Sequence, residues 1–215
     1  MNSCYHCDKP GTTTEHVPPR CFFKEKGKGI FTLMTVPSCV QHNTKKSNSD
    51  EYLKFILTST SSGVHREIID RTVRGIIRLM KKRSRSLDQY GFSEDTGESN
   101  TYTTDGTTPV DVQLVQEALT AIARAVYYYD SGMSKKMPLK LNAMPLFLGL
   151  EPNCPRDFRG KFSLIESLMR KDLIERPIRG ANQDVFGYQV IEEENFVLIN
   201  MIFYRQQYAC VISQR

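Results

Sequence analysis

Several common features are missing from this chain of 215 residues. It has no tryptophan, and no apolar run approaches the roughly 20 residues that a membrane-spanning helix needs. Its first residues, Met-Asn-Ser-Cys-Tyr-His-Cys, are unlike a secretory signal, in which an apolar stretch follows a basic one. From these absences we expect a cytoplasmic protein without a membrane partner.

Two further absences concern ligand binding and architecture. The chain has no Gly-rich phosphate loop of Walker or Rossmann spacing and no internal repeat, so folds that depend on them are not expected. Hydrophobic residues make up 40% and charged residues 25% of the chain, and the mean hydropathy is -0.41, as in ordinary globular proteins. The length allows one sizeable core, or a small module joined to a larger one.

The chain is basic, and its cysteines are unevenly placed. A net charge of +5 and a pI near 8.8 favour contact with polyanions, although many proteins of similar charge never bind nucleic acid. Cysteines that crowd toward one end of a reduced chain favour metal binding over disulfides. The six cysteines are Cys4, Cys7, Cys21, Cys39, Cys154 and Cys210.

Two short motifs each place two metal-binding side chains three positions apart. They are Cys4-x-x-Cys7 and Cys39-x-x-His42. Together they supply the three thiolates and one imidazole that a tetrahedral zinc site accepts. The sequence therefore predicts a structural zinc ion bound by Cys4, Cys7, Cys39 and His42. His6 is an alternative ligand, disfavoured by its place inside the first motif.

The segments next to these motifs carry a second set of polar residues. Thr14-Glu15-His16-Val17-Pro18-Pro19 lies between the two motifs, and Asn43-Thr44-Lys45-Lys46 directly follows the second. This order resembles the HNH endonuclease family, specifically its zinc-containing members with a Glu-His-Val-Pro-Pro segment. In that family a two-stranded hairpin and a helix, the ββα-metal unit, hold one catalytic divalent cation.

The resemblance implies a role for each matching residue. Glu15 corresponds to an acid that binds the catalytic Mg²⁺, Mn²⁺ or similar ion, His16 to the general base, and Asn43 to the final metal ligand. Lys46 corresponds to a position suited to a phosphate contact. The chemistry is consistent, since a neutral imidazole can take a proton from water and a cation held by oxygen ligands can stabilise the leaving oxygen.

One position departs from the family pattern. The middle Asn or His that usually orients the base would fall within 32–35, where the chain has Thr-Leu-Met-Thr. Either a backbone carbonyl orients His16, or this copy of the site is slow or inactive. His16 would in the second case be a hairpin residue of a zinc module without catalysis.

Helical and β patterns follow the metal-binding segment. Ser49-Asp50-Glu51 predicts a helix start, and apolar periodicity predicts further helices over 64–85, 110–129 and 162–173. Runs rich in β-branched and aromatic residues predict an antiparallel meander over 185–191, 196–204 and 208–213. Residues 86–108, rich in Ser, Thr, Gly and acids, predict a mobile loop.

The fold class predicted from these patterns is α+β. Residues 1–60 would form the ββα-metal (HNH) module stapled by zinc, and residues 61–215 a helical body with a short C-terminal antiparallel β-meander. Basic residues of the helix over 64–85, namely Arg71, Arg74 and Arg78, could follow a phosphate backbone. Their alternative is the solvated face of an amphipathic helix.

We therefore expect a metal-dependent endonuclease that hydrolyses phosphodiester bonds in nucleic acid, with DNA the substrate that the resemblance implies. One alternative is a zinc-stapled nucleic-acid-binding module whose nuclease site is inactive. Another is a toxin or defence effector regulated by a partner. A protein partner or a homo-oligomer is compatible with each of these functions.

Overall fold

The computed structural model describes residues 3–23, 33–44, 46–60, 72, 74, 92–94, 102–104, 110–138, 140–150 and 156–214. Within these residues the chain forms helices, a hairpin near the N-terminus and an antiparallel sheet at the C-terminus. The mixture of helix and sheet that the sequence predicts is therefore confirmed.

The N-terminal part is a hairpin followed by two helices. The second hairpin strand alternates buried and half-buried side chains, as a strand with one face on a core should. Its register places Glu15 opposite Val36 and His16 opposite Thr35. The elements are β1 (Thr13–Val17), a short 3-10 helix (Arg20–Phe22), β2 (Met34–Ser38), α1 (Val40–Thr44) and α2 (Ser47–Thr60).

The rest of the described chain adds two longer helices and a five-stranded sheet. The sheet is antiparallel throughout, with the strand order β5-β9-β8-β7-β6. The elements are β3 (Phe92–Glu94), β4 (Tyr102–Thr104), α3 (Val112–Asp130), β5 (Asn142–Met144), a 3-10 helix (Leu146–Leu150), α4 (Arg156–Glu175), β6 (Arg179–Asn182), β7 (Phe186–Glu192), β8 (Phe196–Phe203) and β9 (Gln207–Gln214).

The helix termini differ from the predicted ones by a few residues. α2 begins at Ser47 rather than Ser49, and α4 begins at Arg156 rather than residue 162. α3 starts after Asp111, whose side chain accepts a hydrogen bond from the Leu114 amide at 3.2 Å. A carboxylate in this place satisfies an amide that has no partner within the helix, so Asp111 is the cap.

The predicted C-terminal meander is confirmed as β7, β8 and β9, and two edge strands extend it. The edge strands, β5 and β6, have the sequences Asn-Ala-Met and Arg-Gly-Ala-Asn. Neither contains the β-branched or aromatic residues that mark a strand, and pairing with a preformed neighbour decides their conformation.

α3 lies at the centre of the molecule. It packs against α2, against both strands of the hairpin and against several strands of the large sheet. Its apolar residues recur every three or four positions and are buried, Leu119, Ile122 and Val126 among them. Buried side chains from Cys4 to Val211 belong to one apolar cluster, so α3 joins the N-terminal hairpin to the sheet.

Two predictions fall mainly outside the described residues. In the helix predicted over 64–85 only Thr72 and Arg74 are described, and both are helical. In the loop predicted over 86–108, β3 and β4 pair as short antiparallel strands. Among the helices that the structure describes, none has the length and apolarity required to cross a membrane.

Candidate metal centre and adjoining carboxylate site

The two cysteine motifs come together as the sequence predicts. The ligand atoms of Cys4, Cys7, Cys39 and His42 all lie within 4.8 Å of one another. Cys7 Sγ is 3.9 Å from Cys39 Sγ, and His42 Nδ1 is 3.3 Å from Cys39 Sγ and 3.6 Å from Cys4 Sγ. Tetrahedral zinc with Zn–S bonds of about 2.3 Å would hold two sulfurs about 3.8 Å apart. The cluster could therefore hold a structural metal ion such as zinc.

Backbone hydrogen bonds hold each motif in place. The Tyr5 amide donates to the Pro37 carbonyl at 2.9 Å, which ties the first motif to β2. Cys39 directly follows β2, and its carbonyl accepts from the His42 amide at 3.1 Å. This turn of helix brings the side chains of Cys39 and His42 to one side, since positions three apart are neighbours on a helix.

The surroundings of Cys4 favour the thiolate that a metal requires. Burial alone would raise the pKa of its thiol, but backbone hydrogen bonds from Cys39, His6 and Cys7 and a contact with His42 lower it to about 6. The His6 amide, for example, donates to Cys4 Sγ at 3.4 Å. Zinc binds the deprotonated sulfur. With a lower pKa, protons compete less with zinc for the Cys4 sulfur.

His6 lies beside the cluster rather than within it. Its ring stacks on the ring of His42, with centroids 3.9 Å apart and an angle of 25° between the planes. Burial, then the proximity of His42 and Arg124, lowers the pKa of His6 to about 4. A neutral ring in this position supports His42 by contact. The ligand set is therefore the one that the motifs predict, without His6.

Glu15 and His16 lie on opposite faces of β1. Successive side chains of a strand alternate, and here Glu15 is only 6% exposed whereas His16 is half-buried. The Asn43 side chain reaches the same strand, because its Nδ2 donates to the Thr14 carbonyl at 3.4 Å. Asn43 thus contacts the strand that carries Glu15 and His16, while the side chains of these two residues point to opposite faces of it.

The register locates the departure from the family pattern. Thr35, one of the four residues at the expected position of the middle Asn or His, is paired directly with His16 across the hairpin. His16 Nδ1 is buried and has no hydrogen-bond partner among the described residues. A backbone carbonyl that would orient the imidazole through Nδ1 is therefore not seen in the described part of the chain.

Lys46 points inward, toward two carboxylates. Its Nζ is 3.0 Å from Glu15 Oε1 and 3.5 Å from Asp50 Oδ2, and the side chains of all three residues are at most 9% exposed. Its ammonium is held by these acids, and the phosphate contact expected of Lys46 stays a prediction. Asp50, predicted only as part of a helix start, was missed as a site residue.

The position of Asp50 changes its acid strength. Burial raises the pKa of its carboxyl to about 7, with Lys46 acting in the opposite direction and Glu15 in the same direction as burial. Spacing gives a partial signal for this contact, since Lys46 and Asp50 are four residues apart and such pairs meet on a helix. The contact between Lys46 and Glu15 has no such signal, because the two residues are far apart in the sequence.

A cleft of about 410 Å³ lies between the Cys3His cluster and α3. His42, Lys46 and Ser49 line one side of it, and Gln113, Gln116 and Glu117 line the other. Glu15, His16 and Asn43 are not among its lining residues.

The basic residues predicted to bind substrate are described only in part. Arg74 is exposed, which leaves it accessible to a phosphate. Arg71 and Arg78 lie outside the described residues, so their contact with a substrate stays a prediction.

Comparisons with known proteins returned no match to this chain among protein-family models, curated proteins or solved structures. The resemblance to HNH endonucleases therefore depends on the motifs of the chain itself.

Proposed function

We propose that this protein is a metal-dependent, HNH-type endonuclease that hydrolyses phosphodiester bonds in DNA. The observation that carries the proposal is the arrangement around one hairpin: β1 carries Glu15 and His16, Asn43 of α1 contacts β1, and the Cys3His cluster joins the two ends. This is the order of parts expected of a zinc-stapled ββα-metal module. The chain supplies both an oxygen ligand set and a base within it.

In the proposed reaction His16 activates water. With Nδ1 buried, Nε2 is the ring nitrogen left to accept the proton of a water molecule. The water oxygen then bonds to phosphorus as the bond to the leaving oxygen breaks. Glu15 and the side-chain oxygen of Asn43 would hold a Mg²⁺, Mn²⁺ or similar ion, whose charge stabilises the phosphorane and the leaving oxygen.

The zinc cluster has a structural role in this proposal. It joins the segment before β1 to the turn after β2, and so it fixes the strand that carries Glu15 and His16 relative to Asn43. Tetrahedral sites with four protein ligands leave no open position for substrate, which suits structure rather than catalysis. The exposed Arg74, with Arg71 and Arg78, would add phosphate contacts.

Cleavage of supercoiled plasmid tests this function. The purified, zinc-loaded protein is assayed with Mg²⁺ and with Mn²⁺, next to His16→Ala and to His65→Ala, the same substitution at the histidine outside the motifs. We expect the wild type and His65→Ala to cut, and His16→Ala to lose at least about a hundredfold in rate, the usual contribution of a general base. Cutting by His16→Ala at the wild-type rate, with zinc retained, contradicts the assignment of the base.

A second function is favoured by the imidazole of His16, whose Nδ1 has no hydrogen-bond partner in the part of the chain that the structure describes. A module in which nothing orients His16 can retain its zinc and bind DNA through basic residues while lacking hydrolysis. Binding of that kind weakens steeply as the salt concentration increases. The reason is that binding releases cations from the DNA phosphates, and added salt opposes this release. A wild-type protein that binds DNA in this salt-dependent manner and never cuts it, with either metal, would establish the binding module instead.

A further inference from the structure

The buried ion cluster of Glu15, Lys46 and Asp50 has an unusual feature. Glu15 Oε2 and Asp50 Oδ1 are both buried, and neither has a hydrogen-bond partner among the described residues. Each carboxylate therefore uses one oxygen to bind the Lys46 ammonium and keeps the other unsatisfied. Buried polar atoms without partners are rare in native proteins, and carboxylate oxygens are the ligands that hard divalent cations prefer.

The charges of the three side chains do not cancel. When both carboxylates are ionised, the ammonium neutralises one of them and a single negative charge stays in a buried place. Burial of unpaired charge is costly, so such a cluster attracts a further positive charge or exchanges its cation for one of higher charge. A divalent ion in place of the ammonium would balance the charges of both carboxylates.

Two effects of Lys46 on such an ion oppose each other. By holding Glu15 Oε1, Lys46 orients the carboxylate, and outer partners of this kind contribute about 10–100-fold to metal affinity. By its charge, Lys46 repels a divalent ion bound a few ångströms away in a buried site, where Coulomb interactions are weakly screened. The ammonium and a divalent ion cannot both occupy the place between the two carboxylates, so the metal must displace Lys46 to bind there.

We propose that Glu15 and Asp50 form one cation-binding site in which the Lys46 ammonium is the resident cation and a divalent metal ion such as Mn²⁺ is its competitor. Asp50 is then a metal ligand, and Lys46 moves away when the metal binds. The inference rests on the proposed function for the identity of Glu15 as a ligand. It adds to that function a third oxygen ligand and a built-in competitor that sets how much metal the site needs.

The test measures Mn²⁺ binding to the zinc-loaded full chain by calorimetry and by the electron paramagnetic resonance signal of free Mn²⁺. Lys46→Met removes the ammonium at nearly constant length, and Lys135→Met makes the same change at an exposed lysine paired with Glu192. We expect Lys46→Met to bind Mn²⁺ at least about tenfold more tightly than the wild type, because the competing charge is gone, and Lys135→Met to bind as the wild type does. Asp50→Asn in the Lys46→Met protein should remove this gain.

Further readouts keep the test decisive if Lys46→Met folds poorly. Lys46→Arg retains the charge and should bind Mn²⁺ no more tightly than the wild type, while Asp50→Asn alone should bind it less tightly. Thermal unfolding with and without Mn²⁺ should show a larger stabilisation of Lys46→Met than of the wild type, since a ligand that binds only the folded state stabilises it more when it binds more tightly.

Two outcomes would overturn the proposal. Weaker or equal Mn²⁺ binding by folded Lys46→Met would mean that Lys46 positions Glu15 and does not compete. An undiminished gain in the Lys46→Met/Asp50→Asn protein would mean that Asp50 is not a ligand.

Plasmid cleavage by the same proteins separates this inference from the proposed function. Tight Mn²⁺ binding by Lys46→Met, without cleavage by any protein, would support the cation site and contradict the nuclease function. Cleavage that depends on His16, without tighter Mn²⁺ binding by Lys46→Met, would support the nuclease function and contradict the competition by Lys46.

Discussion

Buried polar groups in the C-terminal sheet differ from those in the N-terminal module. In the sheet, Gln189 is 2% exposed and donates to the carbonyls of Asp172 and Arg176 at 3.1 and 2.8 Å. The Asp172 carbonyl also accepts from the Arg176 amide at 2.9 Å, so Gln189 adds a second donor there and supplies one to the Arg176 carbonyl just after α4. The N-terminal module buries three charged groups, Glu15, Lys46 and Asp50, beside neutral ones such as Ser38. Among the described residues Glu15 Oε2 and Asp50 Oδ1 have no hydrogen-bond partner, and in the sheet the neutral Asn200 Oδ1 has none either, so the two regions differ in the charge of what they bury.

The difference separates structural from functional burial of polar groups. A neutral amide whose protons reach helix carbonyls contributes to stability and has no capacity left for a ligand. An ionised group buried with an unused oxygen costs free energy, and it is retained where chemistry or ligand binding needs it. If this distinction holds, stability and metal binding should respond separately to changes in the two regions.

The largest effect should follow removal of the structural metal. Structural zinc contributes roughly 10–16 kcal/mol in zinc-finger peptides, and the Cys3His cluster joins the segment before β1 to the turn after β2. We expect Cys39→Ser, or a strong chelator, to abolish protection from hydrogen exchange around the hairpin while β7, β8 and β9 stay protected. Hydrogen exchange followed by mass spectrometry, together with zinc content, measures this.

A matched cysteine in the sheet provides the control. Cys210 is 2% exposed in a second apolar cluster, far in sequence from the motifs. Cys210→Ser should destabilise the fold and leave zinc content unchanged. Loss of zinc from Cys210→Ser, or full protection of the hairpin in Cys39→Ser, would remove the contrast between the two regions.

A smaller effect is expected at the buried ion cluster. Lys46→Met leaves two buried carboxylates without their counter-ion, and removal of one partner from a buried pair costs about 3–5 kcal/mol. Urea unfolding of the zinc-loaded protein, with no Mg²⁺ or Mn²⁺ added, measures the change in the free energy of unfolding. Lys135→Met, which breaks an exposed pair, should cost no more than about 1 kcal/mol. Equal losses in the free energy of unfolding for Lys46→Met and Lys135→Met would indicate that Glu15 and Asp50 do not need the Lys46 charge for stability.

The smallest effect should come from the amide in the sheet. Gln189→Leu removes one of two donors to the Asp172 carbonyl and a donor to the Arg176 carbonyl, and it should cost about 1 kcal/mol in stability, the usual net contribution of a hydrogen bond. Zinc content, Mn²⁺ binding and plasmid cleavage should stay at wild-type values below the unfolding transition. A change in metal affinity at full stability would show that the sheet is coupled to the site.

Much of the fold follows from local patterns. The spacing of apolar residues predicts α3 to within two residues of its observed start, and the β-branched runs predict β7, β8 and β9. Edge strands β5 and β6 could not be predicted, because their short polar sequences take their conformation from the neighbouring strand.

The candidate site divides in the same way. The ligand set of Cys4, Cys7, Cys39 and His42 is predicted from residue type and spacing, since a metal selects soft ligands and each motif sits in one local turn. The inward direction of Lys46 is not predicted, because on sequence alone a lysine is expected in water. Only its contact with Glu15 shows that it is held inside.

By itself the sequence determined which chemistry is available: a Cys3His metal ligand set, an acid, an imidazole and an amide in HNH order, and the helices and strands that hold them. The tertiary structure decided which of these groups meet. It placed Thr35 opposite His16, and it brought Lys46 and Asp50 to Glu15. The physical reason is that residue type and short-range periodicity are local properties, whereas burial and ion pairing depend on segments distant in sequence that the shared core around α3 brings together.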